Sequence, residues 1–263
     1  MKQAFKIILI IFFIQLNSAR ASKIKTEEVA YQAGSVICKG MIAYDESLLG
    51  KHPAILVLPE WWGCNDYARR RASELAVLGY FAIAVDMYGE GKLADNPSIA
   101  QELANPFYKN PQFALERIQA AIEKVKSYPQ VDVSNLGAIG YCFGGSMVLN
   151  AAKLGIPFKG IVSFHGGLAG VPAEKGILKS RILVCHGGSD QFISSDDITK
   201  FKSNLVEVKA SYTFLVYENA THAFSNPDAT EIGKKFNIPI AYNEIADKKS
   251  WSDMVIFFNE VFK

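Results

Sequence analysis

Six short apolar runs, none longer than six residues, constrain this chain more than any other feature. They are Ala54–Leu58, Tyr80–Val85, Leu136–Ile139, Gly160–Phe164, Ile182–Cys185 and Phe214–Tyr217. Each is rich in β-formers and lacks the polar alternation of a strand with one wet face. Each therefore predicts a strand covered on both sides, as strands of parallel sheets are. Patterns of helical period lie between them. Tyr67–Leu78 sets Ala68, Ala72, Leu75 and Leu78 on one side, and Gln112–Val125 does the same with Ala114, Leu115, Ile118, Ile122 and Val125. Phe143–Leu154, Asp196–Val208 and Ile245–Phe262 complete the series. Strand–helix alternation with right-handed crossovers predicts an α/β fold with a doubly wound, mostly parallel sheet. Val29–Tyr44, turning at Gln32-Ala33-Gly34-Ser35, predicts an N-terminal antiparallel hairpin. Tyr88–Asn110 holds Gly89, Gly91, Pro97 and Pro106, which predicts a loop or cap over one end of the sheet.

Residues 1–21 stand apart from this pattern. Met1–Lys6 carries two positive charges, Ile7–Leu16 is apolar except for Gln15, and Ala19-Arg20-Ala21 is a small-x-small site. The expectation is a signal peptide over 1–21, one domain over 22–263, and a periplasmic or secreted mature chain. The apolar run is shorter than the roughly 20 residues that span a bilayer, so no stable membrane insertion is expected after cleavage. The formal charge is +2 with no Lys/Arg block, which argues against nucleic acid as a partner. No HxH, HExxH or carboxylate cluster occurs, so neither a metal nor a cofactor is expected. Cys38, Cys64, Cys142 and Cys185 include no CxxC pair, against a zinc ribbon or a thioredoxin-like site. Cys185 reads as a core residue, while a Cys38–Cys64 bridge stays open. A monomer is the expected state.

In doubly wound sheets, ligands bind beyond the carboxyl ends of the strands. Directly after Ile139 comes Gly140-Tyr141-Cys142-Phe143-Gly144-Gly145. This places a nucleophile-type residue at the apex of a strand–turn–helix, where the turn is too tight for side chains on both flanks. Asp190 follows the run ending at Cys185, and His222 follows the run ending at Tyr217. Nucleophile, acid and histidine thus occur in the order of an α/β-hydrolase. In that reading Cys142 attacks, His222 Nε2 takes its proton, and Asp190 holds Nδ1–H. The Phe143 N–H, with the Trp61 N–H from Pro59-Glu60-Trp61-Trp62-Gly63, supplies an oxyanion hole. Glu60 is expected beside Cys142, where a carboxylate disfavours the thiolate and keeps the resting thiol neutral. Trp62, Tyr88, Tyr141, His165 and Phe224 are expected to line the substrate pocket. His165, like His186, also has a plain structural reading as a hydrogen-bonded, semi-buried histidine. The partner is a small-molecule ester or lactone. The alternatives are a non-catalytic ligand-binding protein on the same scaffold and a redox-responsive thiol protein.

The chain resembles the dienelactone hydrolase family from about Ile55 to His222. The resemblance is carried by Pro59-Glu60-Trp61-Trp62-Gly63, Asp86-Met87-Tyr88-Gly89, Gly140–Gly145, His186-Gly187-Gly188-Ser189-Asp190 and Thr221-His222-Ala223-Phe224. It implies an α/β-hydrolase fold and a Cys-Asp-His triad of Cys142, Asp190 and His222. It also implies that Glu60 interacts with the resting cysteine. The family's lactone hydrolases grip a substrate carboxylate with two arginines. The corresponding regions here are Gly89-Glu90-Gly91-Lys92 and Ser225-Asn226-Pro227, and neither holds an arginine.

Overall fold

The computed structural model describes residues 22–263. The expected signal peptide lies outside the described residues. Strands β1 (Ile24–Ala33) and β2 (Val36–Asp45) form the predicted antiparallel hairpin. There follow β3 (His52–Leu58), α1 (Asp66–Val77), β4 (Phe81–Ala84), α2 (Pro97–Lys109) and α3 (Pro111–Lys126). The second half contains β5 (Val131–Tyr141), α4 (Phe143–Lys153), β6 (Gly160–Phe164), β7 (Arg181–Gly187) and α5 (Ser195–Glu207). It ends with β8 (Tyr212–Tyr217), α6 (Ala229–Phe236) and α7 (Glu244–Val261). The sheet order is β1-β2-β4-β3-β5-β6-β7-β8. The hairpin joins β4 antiparallel through β2, and the strands from β4 onward pair in parallel.

The unbroken apolar runs are explained by what covers them. Along β3, Leu56 and Leu58 pack in one core with Leu115 and Ile118 of α3 and Met147 of α4. Ile55 and Val57 face the opposite core with Ala72 and Leu75 of α1 and Met254 and Phe258 of α7. Successive strand residues point to opposite faces, so a strand buried on both must be apolar throughout. Each such side chain taken fully out of water is worth about 1.5–3 kcal/mol. All four cysteines are free thiols; Cys38, Cys64 and Cys185 are buried and Cys142 is half-buried.

Two segments differ from the sequence reading. The stretch taken as a loop or cap contains helix α2. Asn96 caps it by accepting the Ile99 N–H at 3.1 Å, and Pro97 opens its first turn. Proline is favoured there because that N–H has no helical partner anyway. Ala100, Ala104 and Phe107 form its buried stripe. Pro106 sits inside the last turn, and the helix stops three residues later. Helix α6, in a stretch with no predicted element, buries Ala229 and Gly233.

Candidate active site

Cys142 stands between β5 and α4 with φ 51° and ψ −113°, a left-handed backbone for a residue with a side chain. Such conformations cost about 1–3 kcal/mol and persist only where the surroundings impose them. Its neighbours do so. A Cβ on Gly140 would lie 2.7 Å from Gly145 N, and one on Gly144 would lie 2.6 Å from Pro59 O. The Cys142 N–H is shared between Phe164 O at 3.0 Å and His165 Nδ1 at 3.1 Å. Because Nδ1 accepts, Nε2 carries the ring proton and donates to Ser225 Oγ at 2.8 Å. Ser225 Oγ also lies 2.8 Å from Tyr67 Oη, and Ser225 O accepts from Arg71 Nη2 at 2.8 Å. Burial, with His222 and Arg71 nearby, pushes the His165 pKa well below its usual range and keeps the ring neutral.

The loops after β7 and β8 bring Asp190 and His222 to the same place. His222 Nδ1 donates to Asp190 Oδ2 at 2.8 Å, which turns Nε2 toward the Cys142 thiol. Burial alone would lower the His222 pKa. Interactions with Cys142 and Asp190 outweigh it and raise the value to about 10. Phe192 packs edge-on against the His222 ring, with centroids 5.0 Å apart. A parallel bridge from His222 to Ile240 ties the loop to the segment after α6.

The loop after β3 carries the remaining groups. Phe143 N–H opens α4 and Trp61 N–H follows Glu60; neither has an acceptor among the described residues. The first N–H groups of a helix lack helical partners, so they are free for an anion. Tyr88 Oη donates to Trp61 O at 2.9 Å and fixes that loop. Tyr88 is itself held by Asp86, whose buried carboxylate accepts the N–H groups of Lys39, Tyr88, Gly89 and Gly91. Glu60 is buried, and its pKa is raised to about 7, chiefly by burial. Its Oε2 accepts from Asn226 Nδ2 at 2.7 Å, while Oε1 has no partner. Glu60 thus lines the same cavity as Cys142, with its carboxylate bonded by the Asn226 amide, while Cys142 is engaged by His222.

Cys142, His222, Glu60, Trp61 and Trp62 line one cavity of about 500 Å³. Gln101, Asn105 and Tyr108 of α2 also line it, as do Phe192, Ile193, Ile238 and Ile240. Four residues expected in the pocket lie elsewhere. Tyr141 is fully buried against Phe164, with ring centroids 4.8 Å apart, and faces the α1/α7 core. Phe224 is fully buried in the same core. His165 sits behind the elbow, and Tyr88 packs beneath it on Phe143. Strand alternation was the available signal for Tyr141, since it shares a face with the core residue Ile139. Asn226 and the walls from α2 and the later loops were missed altogether. Among the described residues, no cluster of His, Cys, Asp and Glu could hold a metal ion, and no helix is long and apolar enough to cross a membrane.

The family model described as the dienelactone hydrolase family matches residues 38–262. The solved structure of m3DLH superposes with a TM-score of 0.86 at 34% identity, covering 91% of this chain and 99% of its own. A dienelactone hydrolase-like promiscuous phosphotriesterase from metagenomic libraries gives a TM-score of 0.84 at 33% identity, covering 90% and 98%. A protein of Aquifex aeolicus named "Putative carboxymethylenebutenolidase" is 26% identical over 242 residues, 89% of this chain and 98% of the relative.

Proposed function

The chain belongs to the dienelactone hydrolase family, and from that premise we propose that it cleaves a carboxylic ester or lactone through Cys142. The observation that carries the reading is the convergence on one cavity of the strained Cys142 apex and the His222–Asp190 pair. The Cys142 sulfur attacks the carbonyl carbon, and its proton resides on His222 Nε2. The carbonyl oxygen becomes an oxyanion received by the Phe143 and Trp61 N–H groups. As the tetrahedral species collapses, the bond to the leaving oxygen breaks and His222 protonates that oxygen. The product is a thioester on Cys142. Water, deprotonated by His222, then attacks the thioester carbonyl; the carbon–sulfur bond breaks, and acid and free thiol are released. Asp190 holds the tautomer and offsets the imidazolium charge in both halves.

Turnover of short p-nitrophenyl esters and unsaturated lactones by wild type and Cys142→Ala tests this. Loss of turnover in the variant is expected, and turnover that survives it sinks the proposal. The proposal includes export. The charged, apolar and small-x-small pattern of residues 1–21 supports a leader cleaved before Ser22. Sequencing the N-terminus of protein from an exporting host tests that part.

A further inference from the structure

Resting on the hydrolase reading above, we propose that this site takes uncharged, apolar esters or lactones and excludes acyl groups bearing a second carboxylate. Apolar side chains dominate the cavity walls, with Trp61, Trp62, Phe192, Ile193, Ile238 and Ile240 facing the space in front of Cys142. No Lys or Arg among the described residues lines it. The two regions where a carboxylate grip would be built are committed to other partners. Glu90 is exposed and pairs with Lys39 at 3.4 Å on the outer surface. Ser225 faces inward to His165 and Tyr67, and Asn226 is taken by Glu60. Arg71 is the buried cation behind the elbow. Its guanidinium donates to Asp247, Glu74 and Ser225 O and stacks over the Tyr141 ring.

Of the polar side chains lining the cavity, Gln101, Asn105 and Tyr108 are neutral, and the carboxyl of Glu60 offers an anion no positive charge. Glu60 has an oxygen, Oε1, that is buried and without a partner, and it lines the space beside Cys142. A second carboxylate brought into this space would lose its water and meet no Lys or Arg, and the lining residue that can carry positive charge, His222, is already engaged by Asp190 and Cys142. It would also meet Glu60, whose carboxyl is pushed toward the neutral form by burial while His222 and Arg71 favour its charge. An alkyl or aryl group loses nothing polar on entering and removes apolar wall from water.

The test compares p-nitrophenyl hexanoate with the mono-p-nitrophenyl ester of adipic acid, which has the same chain length and a terminal carboxylate. Both are assayed on wild type, Cys142→Ala and Ile238→Arg. Ile238 lines the cavity and is half-buried, so a long cationic side chain there can keep its head group in water. Wild-type kcat/KM is expected to favour the hexanoate by at least roughly tenfold, from an uncompensated buried charge. Ile238→Arg is expected to narrow that ratio by raising turnover of the adipate ester. Equal or better wild-type turnover of the adipate ester overturns the inference and leaves the hydrolase reading intact. Turnover of neither ester above the Cys142→Ala background overturns both. A preference for hexanoate that Ile238→Arg leaves unchanged also counts against the inference, because charge then does not set it.

Discussion

Asn226 donates a 2.7 Å hydrogen bond to Glu60 Oε2, while Glu60 Oε1 is buried without a partner at the cavity wall. Burial raises the Glu60 pKa from 4.5 to about 7, outweighing the Asn226 bond, which favours the charged form. A raised carboxyl pKa means that the folded state binds the proton more tightly. Its contribution to stability is full below pH 4.5 and is lost as pH rises through about 7. Wild type should therefore lose up to about 3 kcal/mol across that window relative to Glu60→Gln. Urea unfolding of both proteins at several pH values checks this. A difference between them that does not change with pH contradicts it.

His222 is coupled in the same direction, over a higher pH window. Burial lowers its pKa, and its interactions with Cys142 and Asp190 raise it to about 10. Stability from this arrangement is full below about pH 6.5 and fades as pH rises through about 10. Cys142→Ala removes the sulfur partner that raises it and leaves burial in place, so the His222 pKa should fall. Titration of the imidazole by NMR in both proteins measures it. A value unchanged in Cys142→Ala would show that the thiol does not charge-couple to the ring.

His165 is predicted to be a positioning residue, acting through the Cys142 N–H. His165→Phe keeps the ring volume and removes both hydrogen bonds, so the apex loosens. kcat should fall roughly 10–100-fold with KM little changed, as small misplacements of reacting groups do. His165→Gln, which can both accept from Cys142 and donate to Ser225, should recover part of the loss. Steady-state kinetics on both variants decide the matter. Equal losses in the two, or a change confined to KM, would rule out the role.

Gly144 is predicted to accept no side chain. The added Cβ of Gly144→Ala would meet the backbone of Leu58 and Pro59, and the Gly144 N–H already bonds Pro59 O at 2.9 Å. A loss of roughly 2–4 kcal/mol is expected, the range for overpacking against rigid backbone, together with lower activity. Thermal unfolding tests it, and a variant as stable and active as wild type would refute it.

These residues differ in how visible they were in the sequence. Cys142, Asp190 and His222 each follow a buried strand, and such strands are legible because two covered faces leave no room for polar positions. Glu60 and Trp61 were found by the same rule. The walls were not. Helix α2 was hidden by Pro97 and Pro106, residues that usually break helices, although Pro97 occupies the one turn that favours proline. Phe192, Ile193, Ile238 and Ile240 reach the cavity from irregular segments, whose position depends on tertiary packing and leaves no period to read. Tyr141 was misplaced because proximity to Cys142 in the chain was taken as proximity to the cavity. Strand alternation sends consecutive side chains to opposite faces.

The central claim is that the acyl group passes through the sulfur of Cys142. Wild-type protein mixed with excess p-nitrophenyl hexanoate, quenched in acid during the first turnovers and mapped by peptide mass spectrometry, tests it most directly. The account predicts one hexanoyl group on the peptide bearing Cys142, released by hydroxylamine as a thioester is. A hexanoyl group on any other residue, or a p-nitrophenol burst with Cys142 unmodified, would contradict it.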